Sequence, residues 1–313
     1  MKRRMLLATL ATPALAQDQV LRIIIPFPPG GPADTIARTL ERPLRAALGQ
    51  AVVLDHRSGA GGVVGMEAVA RARPDGLTMG LGSTGALVIA PHLMARMPYD
   101  PLRDLAPVSE VLAVPQLLVV PADFPARDVA TLVAMARAQP GAIAYASAGI
   151  GSSLHLAAEL FRQKAGIDIT HVPYRGAAPA ITDVVAGRVQ MMLGDITGLL
   201  PQVRGGALRA LGITAATRFS GLPDVPTIAE AGIEGVLSDT FYGVLAPAGV
   251  PAPRIAALAA ALQSALAEPE IRTALAAQGG SIIGSTPEEF AARLRSASAR
   301  WAEVVRAGNI RME

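Results

Sequence analysis

Residues 23–35 read IIIPFPPGGPADT, and this stretch decides the fold that we predict for the chain. Three successive isoleucines are typical of a buried strand, and the prolines and glycines after them indicate a bend. Apolar residues then recur at helical spacing from Ile36 to Leu48. Pro32 suits the first turn of a helix, where a backbone N–H group has no intrahelical partner. The pattern predicts a strand, a loop and a helix, in that order.

This strand–loop–helix junction is a candidate site for a negatively charged ligand. The first N–H groups of a helix lack intrahelical partners, and the helix dipole places partial positive charge beside them. Gly30 and Gly31 let a ligand come close to the backbone, and Asp34 can accept hydrogen bonds from first-turn amides. The alternative is an ordinary turn whose free amides bind water, so the other loops must decide between the two.

Strands and helices are predicted to alternate along the chain. Such alternation produces parallel sheets with right-handed crossovers, so we predict an α/β protein. A capping box, in which Thr286 and Glu289 satisfy each other's amides, is predicted to begin the last helix. Predicted strands cover 51–55, 77–81, 114–121, 143–146, 169–172, 189–193, 208–213 and 241–246, and predicted helices cover 129–138, 227–231, 251–267, 269–278 and 287–307.

Small and hydroxyl-bearing residues collect where these strands end, which is where open α/β sheets bind ligands. Ser83 and Thr84 follow the strand at 77–81, the loop 147–153 follows another, and Tyr174 a third. Uncharged donors of this kind suit a carboxylate that is held by hydrogen bonds. A serine just before a helix is also a common N-cap, so each serine has a structural alternative.

Two charged residues at strand ends have alternative roles. Arg175 can pair with a ligand carboxylate or lie in solvent. Asp195 can accept a hydrogen bond from a ligand amine or hydroxyl, or it can cap the turn that follows.

The first 16 residues are predicted to be a signal peptide that directs the protein to the periplasm. A basic start at 1–4 and an apolar segment at 5–15 precede Ala14-Leu15-Ala16, a small–x–small cleavage pattern, so cleavage is expected after Ala16. Cleavage removes three of the 28 basic residues and none of the 25 acidic ones. The resulting neutral chain argues against nucleic-acid binding. No later apolar run approaches the ~20 residues of a membrane span.

Other chemistries have weaker support. The chain has no cysteine, which excludes disulfides and thiol catalysis, and its four histidines lack metal-ligand spacing. We therefore predict no metal and no cofactor. GLGSTG at 80–85 formally fits a dinucleotide motif but follows the third predicted strand instead of the first. An esterase or amidase could use Ser152 or Ser153 with His155 and Asp195, although no G-x-S-x-G motif occurs.

Seven blocks of sequence, in order along nearly the whole chain after residue 25, carry a family resemblance. They are PFPPGGPADTIAR (26–38), RSGAGGVVGMEAVARARPDG (57–76), LGSTGAL (81–87), YASAGIGSSLHLAAELF (145–161), THVPYRGAAPAITDVVAGRV (170–189), LPDVPTIAEAG (222–232) and GVLAPAGVPAP (243–253). Together they resemble the Bug-type (Bordetella uptake gene) substrate-binding proteins of tripartite tricarboxylate transporters.

The resemblance implies a type II periplasmic binding protein fold, in which two α/β lobes, each a mostly parallel sheet flanked by helices, close on a small carboxylate. Residues 18–122 and 240–313 would form one lobe, and 123–239 the other. It further implies a monomeric, non-enzymatic receptor that delivers its ligand to membrane permease subunits; a receptor that signals to a sensor partner is the alternative. The implied ligand-binding residues are Gly30, Gly31, Ala33, Asp34, Ser83, Thr84, Ser147, Ala148, Gly149, Ser152, Ser153, Tyr174 and Asp195.

Three positions differ from the usual family pattern. Pro28-Pro29 replace small residues that carry amide donors, Gly194-Asp195-Ile196 replaces aromatic-Asp-Asn, and Phe241-Tyr242 replaces Trp-Phe. These positions are expected to shape the pocket.

Overall fold

The computed structural model describes residues 20–277, 279–307 and 310. The predicted signal peptide and its cleavage site therefore lie outside the described residues. Within the described ranges, no helix combines the length and apolar character needed to cross a membrane.

Strands and helices alternate through most of the chain. The strands are β1 (Leu21–Ile25), β2 (Val52–His56), β3 (Thr78–Ser83), β4 (Leu105–Pro121), β5 (Ala144–Ser147), β6 (Thr170–Pro173), β7 (Met191–Asp195), β8 (Leu208–Ile213), β9 (Asp239–Pro247) and β10 (Ser281–Ile282). The α-helices are α1 (Pro32–Leu48), α2 (Val63–Ala70), α3 (Ala90–Leu93), α4 (Val129–Ala138), α5 (Ser153–Ala165), α6 (Ala177–Val185), α7 (Ile196–Arg204), α8 (Ala252–Ala267), α9 (Pro269–Ala277) and α10 (Pro287–Ala307).

Two groups of parallel strands, β2-β1-β3 and β6-β5-β7, form the two halves of the molecule. Antiparallel strands join them, because β4 pairs with β9 up to Pro115 and with β7 from Gln116 onward. We call the half built on β1, β2, β3 and β9 the first lobe, and the half built on β5 to β8 the second lobe. The residue limits of the lobes, 18–122 with 240–313 and 123–239, stay a prediction.

Two elements differ from the sequence prediction. β4 begins at Leu105, nine residues before its predicted start, because the strand passes Pro107 through a shift in register against β9. The predicted helix at 227–231 is wrong. Thr227 and Glu230 exchange the hydrogen bonds of a helix start, but Gly232, at φ +91°, follows within one turn, and Thr227 forms a bridge with Ile213 instead.

The last helix, α10, has the predicted start and packing. Thr286 N donates to Glu289 Oε2 over 2.8 Å, and Glu289 N donates to Thr286 Oγ1 over 3.2 Å, so the capping box is confirmed. The apolar side of α10 is buried in the first lobe, where Phe290 meets Phe241 edge to face. This docking holds the C-terminal helix against the strand that returns from the second lobe.

We expect Thr286→Ala to lower the free energy of unfolding by about 1 kcal/mol, because the Glu289 amide loses its acceptor. Urea denaturation measures the change. Ser264→Ala, an exposed substitution in the last turn of α8, is the control and is expected to change the same quantity by less than about 0.5 kcal/mol. Equal effects of the two substitutions would contradict the capping role.

Candidate functional site

A narrow crevice, which we call the interlobe crevice, lies between the two lobes. The first lobe contributes the loop after β1, the start of α1, the end of β3 and part of β9. The second lobe contributes the loop after β5 and the starts of its helices. The lining residues are Phe27, Pro28, Gly31, Pro32, Ala33, Ser83, Ala148, Ser152, Ser153, Leu154, Ala177, Asp195, Thr240 and Tyr242.

Helix N-termini from both lobes meet at this crevice, because the helices follow the carboxyl ends of parallel strands. Among the described residues that line the crevice there is neither lysine nor arginine, and Asp195 is the one carboxyl group. Free N–H groups and the positive ends of the dipoles make such a place favourable for an anion. Pro32 and Ala33 begin α1, Ser153 and Leu154 begin α5, Ala177 begins α6, and Asp195 stands directly before α7.

About half of the residues predicted from the sequence line the interlobe crevice. Ser152 is also the N-cap of α5, since its hydroxyl accepts from His155 N over 3.2 Å, so the structural role of this serine is present as well. The predicted residues that line the crevice are Gly31, Ala33, Ser83, Ala148, Ser152, Ser153 and Asp195.

Asp34 and Gly30 do not line the crevice. They stabilise the loop between β1 and α1. Asp34 Oδ2 accepts from Gly30 N and from Arg38 Nε, each over 2.9 Å, and Asp34 Oδ1 lies 2.8 Å from His56 Nε2. Burial alone would raise the pKa of Asp34, but these hydrogen bonds hold it below its usual value. The carboxylate therefore fixes the loop that carries Gly31 to the crevice.

Thr84 and Ser147 are also buried behind the crevice. Thr84 Oγ1 accepts from Phe241 N over 2.8 Å, which ties the end of β3 to β9. Ser147 Oγ lies 2.7 Å from His171 Nε2 and accepts from Gly149 N over 3.1 Å. Both hydroxyls hold loops in place, and the structure gives them protein partners.

A second opening, which we call the Arg175 crevice, shares Phe27 and Ala148 with the interlobe crevice. Gly149, Tyr174 and Arg175 line it together with the glycine-rich turn at 59–62. The Tyr174 hydroxyl donates to Asp183 Oδ2 over 2.8 Å. Gly149 and Tyr174, both predicted site residues, thus belong to this neighbouring space and not to the interlobe crevice.

Asp195 is held by neutral donors inside the interlobe crevice. Thr240 Oγ1 donates to Asp195 Oδ1 over 2.6 Å, and the Tyr242 hydroxyl donates to Asp195 Oδ2. Burial raises the pKa of Asp195 to about 7, although both hydrogen bonds favour the ionised form. The crevice therefore contains an acid that can gain or lose a proton near neutral pH.

Several lining residues were absent from the predicted site. Phe27, Pro28 and Pro32 lie within the opening stretch, residues 23–35, but apolar side chains give a weaker sequence signal of ligand binding than glycine and polar side chains do. Thr240 and Tyr242 come from β9, more than 40 residues after Asp195 in the chain. Their only sequence signal was that Phe241-Tyr242 differs from the family pattern. Leu154 and Ala177 are the remaining unpredicted lining residues.

The side chains proposed for a hydrolase do not form a catalytic arrangement. Ser153 Oγ lies 2.7 Å from Thr240 Oγ1, whereas His155 Nδ1 accepts from Gly151 N over 3.2 Å. The His155 ring stacks on His171, with ring centres 4.2 Å apart, and His171 stacks on Tyr145. His155 therefore serves as a buried acceptor behind the loop 147–153.

The stacked histidines predict a loss of stability in acid. Burial lowers the pKa of His155 to about 4 and that of His171 to about 3, so an unfolded chain binds protons that the folded one does not. Each histidine is expected to reduce the free energy of unfolding by up to about 1.4 kcal/mol per pH unit below about pH 6.5. Asp195 and Glu110 are buried acids whose pKa values are raised, so they contribute with the opposite sign and reduce the net loss of stability.

Urea denaturation between about pH 7 and about pH 5 measures this dependence. His171→Phe keeps a stacked ring but removes one titration, so its stability is expected to fall less steeply with pH, from a lower value at neutral pH. Identical slopes for the two proteins would contradict this account of the buried stack.

Comparisons with known proteins agree with the fold. The chain is 38% identical to protein BugT of Bordetella pertussis over 287 residues, covering 91% of this chain and 88% of BugT. MatC from Rhodopseudomonas palustris, solved with bound malate, superposes with a TM-score of 0.88 at 32% identity, covering 91% and 98% of the two chains. A second R. palustris protein, solved with adipate, superposes with a TM-score of 0.90 at 33% identity, covering 93% of this chain and 97% of that protein.

These neighbours confirm the predicted two-lobed α/β fold of periplasmic solute-binding proteins. The family model for the tripartite tricarboxylate transporter family receptor matches residues 36–310, most of the chain. The resemblance predicted from the sequence blocks is thereby confirmed, and the chain belongs to the tripartite tricarboxylate transporter receptor family, which includes the Bug proteins.

Proposed function

We propose that the protein is a receptor that captures a small carboxylate in the interlobe crevice and delivers it to the membrane subunits of a tripartite tricarboxylate-type transporter. One observation carries the proposal: helix N-termini from both lobes meet at a crevice whose described lining has no lysine or arginine. A carboxylate satisfies such free N–H groups without an ion pair.

The solved relatives support a dicarboxylate as the ligand class, since one is bound to malate and another to adipate. Neutral donors also suit a receptor that must release its ligand, because no strong buried ion pair has to be broken. The ligand would lie between the lobes and be enclosed when they close. The bound acid would be released without chemical change, because the described serines and histidines form no catalytic arrangement around the crevice.

Delivery to a transporter requires an exported protein, and we propose that residues 1–16 direct export and are removed after Ala16. The mature receptor would act as a monomer in the periplasm. Cells that lack the permease subunits but produce this protein should fail to accumulate the labelled acid. Normal accumulation would favour a receptor that signals to a sensor partner.

A thermal-shift screen tests the proposed function. The panel contains malate, succinate, adipate, glutamate and benzoate, and the primary amides of the same acids serve as controls without a carboxylate charge. An acid present at ~100 times its Kd is expected to stabilise the protein by about 2.7 kcal/mol, whereas its amide should not. The proposal fails if no acid in the panel shifts the melting temperature or if a bound acid is chemically converted.

A further inference from the structure

A chain of side-chain hydrogen bonds joins the interlobe crevice to a buried carboxyl group. Ser153 Oγ lies 2.7 Å from Thr240 Oγ1, which lies 2.6 Å from Asp195 Oδ1. Thr240 Oγ1 also accepts from Gln116 Nε2 over 3.0 Å, and Asp195 Oδ2 accepts from the Tyr242 hydroxyl. All five side chains are buried. The chain begins at the start of α5, where a ligand would lie, and ends at the one carboxyl group in the described lining.

The donors can be counted for the state in which Asp195 is ionised. Thr240 has a single hydroxyl hydrogen and donates it to Asp195, because an ionised carboxylate can only accept. Ser153 must then donate its own hydrogen to Thr240. The Ser153 oxygen presents only lone pairs to the crevice. A ligand carboxylate, which also only accepts, therefore has no hydrogen-bond partner at Ser153 in this state.

One proton on Asp195 reverses the direction of the chain without moving a heavy atom. The protonated carboxyl group donates from Oδ1 to Thr240, and Thr240 donates to Ser153. The Ser153 hydrogen is then free to point into the crevice and to be donated to a ligand carboxylate. Tyr242 donates to Oδ2 in both states. Starting from ionised Asp195, one proton is therefore taken up from solvent for each carboxylate that binds at Ser153.

We propose that Ser153, Thr240 and Asp195 couple ligand specificity to protonation. A ligand carboxylate binds at Ser153 together with the uptake of one proton by Asp195. A ligand hydroxyl or ammonium group binds there without proton uptake. The inference rests on the proposed function and deepens it. It assigns two ligand classes to the same position, dicarboxylates that bind with proton uptake and hydroxy or amino acids that bind without it.

The groups around Asp195 favour a proton near neutral pH. Burial, with a smaller contribution from the charge of Asp239, raises the pKa of Asp195 to about 7, while hydrogen bonds from the neutral side chains named above oppose the shift. Asp239 is itself paired with Arg293 over 2.8 Å and with Arg300 over 3.8 Å. Burial also holds the pKa of Tyr242 well above its usual value, so Tyr242 stays a donor.

Calorimetry with adipate, a dicarboxylate without a hydroxyl group, tests the proposal. Above about pH 7 the affinity of the wild-type protein for adipate is expected to fall by up to tenfold per pH unit. Titrations in buffers of different ionisation enthalpy should show uptake of about one proton per adipate at about pH 8.5. Malate is the second probe, and an affinity that depends less on pH would indicate that its hydroxyl group occupies the Ser153 position.

Asp195→Asn removes the titrating proton but keeps the size and shape of the side chain. The Tyr242 hydroxyl selects the amide oxygen, so the amide NH₂ faces Thr240 as a protonated carboxyl group would. Adipate affinity in this variant is expected to be independent of pH and to involve no proton uptake. Glu110→Gln is the matched control, because Glu110 is a second buried acid whose pKa burial raises, and it lies outside the crevice lining. This control should keep the wild-type pH dependence.

A measurement on the ligand-free protein separates this inference from the proposed function. Infrared titration should show a protonated carboxyl band that is lost between about pH 6 and about pH 8.5 and is missing from Asp195→Asn. The proposal is overturned if that band is absent, or if wild type and Asp195→Asn bind adipate with the same pH dependence. If no panel acid binds, the proposed function fails, while the infrared result still decides whether Asp195 holds a proton.

Discussion

Ala177→Asp is expected to weaken carboxylate binding by about two to three orders of magnitude. Ala177 is the first residue of α6 and lines the interlobe crevice, so an aspartate there places a negative charge beside the proposed anion site. Two unit charges about 4 Å apart at an effective dielectric of 20 repel by about 4 kcal/mol. Calorimetry with the acid that gives the largest thermal shift measures the loss.

Two control substitutions separate charge from size and position. Ala177→Asn adds a side chain of the same size without charge and should weaken binding far less than Ala177→Asp. Ala178→Asp adds the same charge one residue later in α6, outside the crevice lining, and should weaken binding much less than Ala177→Asp. If Ala177→Asp and Ala177→Asn weaken binding equally, the electrostatic account of the crevice is wrong.

Gly85→Ala is expected to raise the Kd of the same acid by roughly 5- to 150-fold, which corresponds to about 1–3 kcal/mol of steric cost in the closed arrangement. A methyl group on Gly85, in the first lobe, would lie 2.9 Å from Ser152 Cα and 3.0 Å from Gly151 O, both in the second lobe. Gly85 does not adopt a positive φ, so its own backbone tolerates alanine. The clash therefore opposes lobe contact and not folding.

Gly65→Ala provides the contrast, because its added methyl group would meet only the first lobe. It would lie 2.7 Å from Pro26 Cα and 2.8 Å from Arg57 O. This substitution should lower the free energy of unfolding of the ligand-free protein, whereas Gly85→Ala should change that quantity little. A Gly85→Ala protein that binds with wild-type affinity would show that lobe contact at Gly85 contributes nothing to binding.

Much of the fold could be predicted because local signals and tertiary structure agree. The isoleucine run, the proline–glycine bend and the apolar spacing after it correspond to β1, its loop and α1. The extent of β4 was not predictable in the same way. Pro107 normally ends a strand, and only pairing with β9, more than 100 residues later, shows that a shift in register accommodates it.

The candidate site was predictable where it consists of short loops at strand ends, such as Gly31 and the segment before α5. It was not predictable where side chains from distant strands decide what faces the crevice. Asp34 lies within the opening stretch, residues 23–35, but its carboxylate pairs with His56. Thr240 and Tyr242, which belong to β9, donate hydrogen bonds to Asp195. Sequence spacing gives no measure of such long-range pairings.

A crystal structure with the tightest-binding acid of the panel tests the central claim most directly. We expect a carboxylate group in the interlobe crevice, within hydrogen-bond distance of backbone N–H groups at the start of α1 or α5, and with no lysine or arginine in contact. A carboxylate bound instead in the Arg175 crevice, paired with the guanidinium of Arg175, would contradict the account.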